Sequence, residues 1–148
     1  MTLPHHCVIG RAREEDIYAH LLRCDGQFVP PLSGRVDIAA YANKIATRAT
    51  TYEVWDNGAL IGLVAAYNDA VTQRPAFITS VSVDDFWQGK GIATLMLRQC
   101  LRHLRELGFA RCNLEVHDSN LGANALYRKI GFCVTGQQGT VQTLSLIL

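Results

Sequence analysis

The chain has 148 residues, 49% of them hydrophobic and 18% charged, and a formal net charge of +1. That length fits one domain, spanning residues 1–148, with a core large enough to need no disulfide or metal staple. No run of lysines or arginines offers the many phosphate contacts of a nucleic-acid partner, and no stretch approaches the roughly 18 apolar residues that cross a bilayer.

The run from Met1 to Cys7 lacks the charged-then-apolar layout of a secretory signal. Cys7, Cys24, Cys100, Cys112 and Cys133 are odd in number and widely scattered. They read as free buried thiols in a reducing cytoplasm rather than as a zinc or disulfide framework. His5-His6 reads as a solvated pair, so no metal is expected.

Residues 7–12 read as a first strand. Glu14-Glu15-Asp16 then opens a helix with its acids at the positive end of the helix dipole, and Ile17, Leu21 and Leu22 follow the helical period. Asp25 to Pro31 breaks it, and a second helix is predicted over 36–47 with Ile38, Tyr41 and Ile45 on one stripe. Asp56-Asn57-Gly58 separates two β-rich runs, the signal of a tight hairpin whose turn needs positive φ. A strand over 76–83 precedes a long helix over 91–107, with Leu97, Cys100, Leu101, Leu104 and Leu107 inward. Gly108 stops that helix. A strand over 111–117, a short helix over 122–130 stopped by Gly131, and strands over 132–135 and 141–147 complete the chain. The order implies a mixed α/β sheet with helices packed on it and no second domain.

Three segments carry chemistry. Gln88-Gly89-Lys90-Gly91-Ile92-Ala93 lies between a strand and the long helix. The first amides of a helix have no intrahelical partners, and glycines let a phosphate approach them. The same pattern also suits a plain strand–helix turn. In the strand 111–117, Cys112, Leu114 and Val116 share one face and Asn113, Glu115 and His117 the other. A strand buried inside an α/β sheet should be apolar on both faces, so either something polar binds there or this is an edge strand. In the third segment Ala123, Leu126, Tyr127 and Ile130 form a helical stripe, which leaves Tyr127 open between core packing and a hydroxyl aimed at a site.

Taken in order, Gln88-x-x-Gly91-x-Ala93, the long helix, Leu114-Glu115-Val116, Asn120, and Ala123-x-x-Leu126-Tyr127-x-Lys129-x-Gly131-Phe132 resemble the GNAT superfamily of N-acetyltransferases. The likeness covers residues 76–132. Ala93 stands where the family often has a glycine. The resemblance implies the GNAT fold, a central mixed and largely antiparallel sheet flanked by about four helices, with acetyl-CoA as acetyl donor and no metal.

It also implies roles. The main chain of Val81, Ser82 and Val83 would pair with the pantetheine arm like an extra strand. Main-chain amides of Gln88, Gly89, Lys90, Gly91, Ile92, Ala93 and Thr94 would hold the pyrophosphate, and Asn120 would contact the cofactor. Tyr127 would protonate the departing thiolate. The Leu114-Glu115-Val116-x-x-x-Asn120 arrangement is similar to the ribosomal-protein alanine N-acetyltransferases and makes Glu115 the general base.

A protonated amine with a pKa of about 10.4 has no lone pair for attack, so a base has to take its proton. The acceptor would be a primary amine bound by residues 28–41 and 136–141. Phe28 to Arg35 with Tyr52 to Trp55 loosely resembles members that acetylate amino sugars, and a peptide amine is the other choice. The resemblance allows a homodimer. The competing reading is a non-catalytic acyl-CoA-binding sensor or interaction domain, which would need neither Glu115 nor Tyr127.

Overall fold

The computed structural model describes residues 5–69 and 74–148. Met1–Pro4, part of the N-terminal reading, lie outside the described residues. Seven strands form one sheet in the order β1-β2-β3-β4-β5-β7-β6. They are β1 (Val8–Ile9), β2 (Thr50–Asp56), β3 (Ala59–Tyr67), β4 (Ala76–Val83), β5 (Arg111–His117), β6 (Cys133–Gln138) and β7 (Val141–Ile147). Every pairing is antiparallel except β4 with β5. The helices are α1 (Glu14–Cys24), α2 (Ile38–Arg48), α3 (Ile92–Glu106) and α4 (Leu121–Ile130).

Helices pack on both faces of the sheet, α1 and α2 covering one face only over β2 to β4. Ile17 and Leu21 of α1 and Ile38, Ala42 and Ile45 of α2 bury against Leu60, Leu63 and Ala65 of β3. On the opposite face Ile92, Met96, Leu97, Cys100, Leu101 and Leu104 of α3, with Tyr127 of α4, pack on Val64, Ile78, Leu114 and Leu144. Gly62 permits the close approach of α3, since a Cβ there would lie 3.0 Å from Ile92 and 3.1 Å from Met96.

Local chemistry sets the boundaries. The first strand stops at Ile9, short of the expected residue 12, because after Gly10, whose N–H still donates to Thr51 O, the amides leave the ladder. Arg11 N and Ala12 N donate instead to Glu53 Oε2, at 3.0 and 2.9 Å. Glu53 is fully buried and also accepts from Trp55 Nε1 and Thr51 Oγ1, so its desolvation is answered by hydrogen bonds. α2 begins at Ile38, not Val36, because Asp37 Oδ1 caps the amides of Ala39 and Ala40. The hairpin turn is as expected, with φ of 47° at Asn57 and 79° at Gly58.

Four expectations need correction. Leu22 and Leu107 are about half exposed, at 47% and 49%: Leu22 falls on the outer face of α1 between the buried Leu21 and Cys24, and Leu107 lies just past the end of α3. Cys133 is exposed, unlike the buried Cys24, Cys100 and Cys112. His5 is not a solvated residue: its ring meets Trp87 edge-on at 4.8 Å, and Nε2 lies 3.1 Å from Asp56 Oδ1.

Candidate active site

β4 and β5 pair only through Ala76–Cys112, Phe77–Asn113 and Ile78–Leu114. Beyond Ile78 the two strands part. Against β3, the register steps from Ala66–Ile78 to Ala65–Ser80, so Thr79 is an extra residue in β4. A bulge bends its strand and shifts the inside–outside alternation by one. Before it, Ala76 and Ile78 face α3; after it, Val81 and Val83 do. The parting strands open a cleft of ≈ 900 Å³.

The edge of β4 facing this cleft offers main-chain groups. Asp84 N donates to Ile61 O of β3 at 2.8 Å. By the alternation of an antiparallel ladder, Val83 and Val81 then turn their N–H and C=O toward the cleft, and Ser82 turns its own toward β3. Ser82 therefore differs from the expectation of a main-chain contact. Its contribution is a side chain, bonded to His20 on the α1 side. Gln88 Nε2 reaches back to Val83 O at 3.2 Å and ties the following loop to the strand.

That loop runs into the N-terminus of α3. Gly89 and Gly91 adopt φ of 74° and 82°, a left-handed conformation that side chains disfavour. Gly91 caps the helix without a side-chain bond, and the first intrahelical bond is Leu95 N to Gly91 O. The amides of Ile92, Ala93 and Thr94 are thus left over at the positive end of a 15-residue helix, and all three residues line the cleft. A chain carrying amide groups and ending in a phosphate fits this edge and this helix end. Lys90 is the exception among the expected residues. It does not line the cleft, and its ammonium lies 5.9 Å from the Phe86 ring centre.

β5 is interior to the sheet, paired along its whole length with β7. It is therefore not an edge strand in the sheet order, although beyond Leu114 it has no partner on the β4 side, and its polar face carries the exposed Glu115. Glu115 and His117 line the cleft; Asn113 does not, and its Oδ1 is buried without a partner. His117 Nδ1 accepts from Ser119 N at 3.1 Å, which fixes its proton on the other nitrogen. After β5, Asn120 Oδ1 caps α4 through Ala123 N at 3.3 Å.

Tyr127 belongs to the core and to the cleft wall at once. It is 8% exposed and meets Phe132 edge-on at 6.1 Å, yet it lines the cleft. Burial pushes its phenol up to about 12, so it stays protonated at neutral pH.

The α1–α2 side contributes what sequence reasoning held only loosely. Phe28, Val29, Pro30, Leu32, Arg35 and Tyr41 line the same cleft, as does Val141 from the last hairpin. Tyr41 donates to Thr79 O at 2.8 Å, so the bulge residue is held by α2. A further network was not foreseen. His20 Nδ1 meets Asp84 Oδ1 at 2.8 Å, His20 Nε2 meets Ser82 Oγ at 2.9 Å, and Arg23 Nε donates to Asp84 Oδ2 at 2.9 Å. Cys24 brings a thiol beside them, and the His20, Cys24 and Asp84 ligand atoms lie within 4.8 Å of one another. Burial and then the Asp84 charge push that thiol up to about 12. A metal would need the thiolate, whereas the thiol already hydrogen-bonds Asp84 at 3.6 Å, so the group is read as a hydrogen-bond network. The only early pointer was the 3.6 period, which puts His20 and Cys24 on the inner face of α1.

Comparison with known proteins adds the following. The model of the acetyltransferase (GNAT) family matches residues 14–132. A Bacillus subtilis protein described as uncharacterized N-acetyltransferase YdgE is 37% identical over 81 residues, 54% of this chain and 52% of the other. The spermine/spermidine N(1)-acetyltransferase of the same organism is 30% identical over 80 residues, 53% of each. The chain thus spans about half the length of the curated relatives it matches. Among solved structures, the PaiA N-acetyltransferase of Thermoplasma acidophilum in complex with coenzyme A superposes with a TM-score of 0.76, at 16% identity, over 96% of this chain and 99% of the other. The ribosomal-protein alanine N-acetyltransferase of Escherichia coli gives 0.75, at 20% identity, over 95% and 93%. At such identities the structural likeness speaks for the fold.

Proposed function

The chain belongs to the GNAT acetyltransferase family, and from that premise we propose that it moves the acetyl group of acetyl-CoA directly onto a primary amine of a small molecule or peptide. One observation carries the reading: a single cleft is lined by the free edge of β4, the amide-bearing start of α3, and both Glu115 and Tyr127. A protein that merely bound acyl-CoA would have no use for the last two. A relative named for spermine and spermidine and a fold neighbour named for a ribosomal-protein alanine both acetylate amines by name. An amino sugar remains the acceptor suggested by the segment from Phe28 to Arg35.

In this reading the Val81 and Val83 main chain pairs with the pantetheine arm, and the amides of Ile92, Ala93 and Thr94 receive the pyrophosphate. Asn120, whose Oδ1 is engaged in capping, contacts the cofactor through its amide nitrogen. Glu115, exposed at the cleft, takes the proton of the incoming ammonium, directly or through a water, and frees the lone pair. Attack on the thioester places negative charge on its carbonyl oxygen, which a main-chain N–H of β4 stabilises. The carbon–sulfur bond then breaks, and the Tyr127 hydroxyl donates its proton to the thiolate. Donor and acceptor meet in one complex, so no cysteine nucleophile is required.

We place the protein in the reducing cytoplasm. Its free cysteines support this, and no helix among the described residues is long and apolar enough to cross a membrane. The deciding experiment is release of free CoA from acetyl-CoA against a panel of amino sugars, peptides and polyamines. Turnover with any of them supports the enzyme. Tight acetyl-CoA binding without CoA release across the panel would favour the sensor.

A further inference from the structure

Two charged side chains line the cleft among the described residues, Arg35 and Glu115. Among the described residues, no ion pair and no side-chain hydrogen bond engages either of them. Glu115 stands on β5. Arg35 stands on the opposite side, just before α2, close enough for its charge to act on the Tyr41 hydroxyl.

Beside Tyr41 lies a second anomaly. Ser80, turned inward by the Thr79 bulge, is 4% exposed and lines the cleft, yet its Oγ has no hydrogen-bond partner. It approaches the Tyr41 hydroxyl without completing a bond of good geometry. A buried hydroxyl without a partner costs stability, and such groups in a cleft wall are satisfied when a polar ligand arrives. One wall therefore gathers a free guanidinium and an unsatisfied hydroxyl, and the other presents a free carboxylate.

We propose that the acceptor is an amine that also carries an oxyanion, a carboxylate or a phosphate, received by Arg35 and Ser80 while its ammonium faces Glu115. This rests on the acetyltransferase reading and names the substrate class of the same site. A guanidinium offers paired donors to an oxyanion. A polyamine presents several cations to a cleft with one carboxylate and one guanidinium, and like charge disfavours it. The acceptor class inferred here thus differs from that named for the spermidine-acetylating relative.

The test is CoA release with matched amines: amino acids against their amides, glucosamine 6-phosphate against glucosamine, 2-aminoethyl phosphate against ethanolamine, and spermidine. The oxyanion-bearing member of at least one pair should exceed its neutral twin by about tenfold or more in kcat/KM, and the pair that responds separates carboxylate from phosphate. Arg35→Gln should raise KM for that member by about tenfold and move the neutral twin far less, with the melting temperature and calorimetric acetyl-CoA affinity unchanged. Equal or better turnover of the neutral twins or of spermidine overturns the proposal. So does an equal effect of Arg35→Gln on both members. Silence from every oxyanion-bearing amine with acetyl-CoA still bound also defeats it, whereas failure to bind acetyl-CoA defeats the reading beneath it.

Discussion

His20 Nδ1 lies 2.8 Å from Asp84 Oδ1, joining the inner face of α1 to the residue that follows β4. The same nitrogen faces Leu60 O at 3.0 Å. With two acceptors before it, Nδ1 carries a proton, and Nε2 meets Ser82 Oγ at 2.9 Å. This chain of bonds fixes α1 over the strand that forms one wall of the cleft.

Its stability follows pH in a defined direction. Burial alone would raise the Asp84 pKa, but the hydrogen bond and charge of His20, and after them those of Arg23, outweigh it and hold the carboxyl below its ordinary 3.8. A native pKa below the unfolded one adds stability at higher pH, and that stability is lost as pH falls through the native value. Asp84→Asn keeps one acceptor for His20 but turns an N–H₂ toward Arg23, and should cost about 1–3 kcal/mol. Urea unfolding should show the full difference above about pH 5 and a closing gap below the ordinary carboxylate value.

Tyr127→Phe keeps the ring against Phe132 and removes only the hydroxyl. If that hydroxyl protonates the thiolate, kcat should fall by about 10² while unfolding midpoint and CoA affinity hold. An acetyl donor with a more acidic leaving thiol should recover part of the loss. Parent-like turnover with acetyl-CoA would leave the phenol a packing role alone.

Glu115→Gln should reduce kcat by about 10²–10⁴ and flatten the acidic limb of the rate profile. The side chain is exposed and makes no structural bond, so stability and CoA affinity should stay as they are. An unaltered pH profile would assign the base elsewhere.

No described atom lies within 4 Å of a Cβ built on Gly89. Gly89→Ala should therefore cost only the strain of its positive φ, about 1 kcal/mol. If the neighbouring amides hold the pyrophosphate as proposed, the new methyl should lower calorimetric CoA affinity by about tenfold, or 1.4 kcal/mol. Unchanged affinity would move the phosphate site off this loop.

Where local chemistry rules, the fold was legible in the sequence. The Asn57-Gly58 turn, the α3 stripe and the alternation of β5 all follow from nearest neighbours and periodicity. Tyr127 was legible as a position but not as a dual role, since only the tertiary fold makes one side chain both core and cleft wall. The His20–Asp84–Ser82 network joins residues more than sixty positions apart, and nothing local announces it. The Thr79 bulge was equally hidden. Ala76 to Val83 reads as an even strand, and a strict alternation would have put Ser80 and Ser82 with the residues facing α3. Lys90 was legible as a loop residue, but the turn of its side chain toward Phe86 was not.

Three residue pairs are all that join β4 to β5, and this makes the sheet two panels with a short seam. Strands β1 to β4 form one panel and β5, β7 and β6 the other, with the core beneath α3 spanning the join. A ligand that pairs with the loose edge of β4 stitches the seam along the stretch where the protein leaves it open. Acetyl-CoA at a hundredfold excess over its dissociation constant adds about 2.7 kcal/mol to folding. That gain should appear first as slowed hydrogen exchange at the Val81 and Val83 amides, before any acceptor is present.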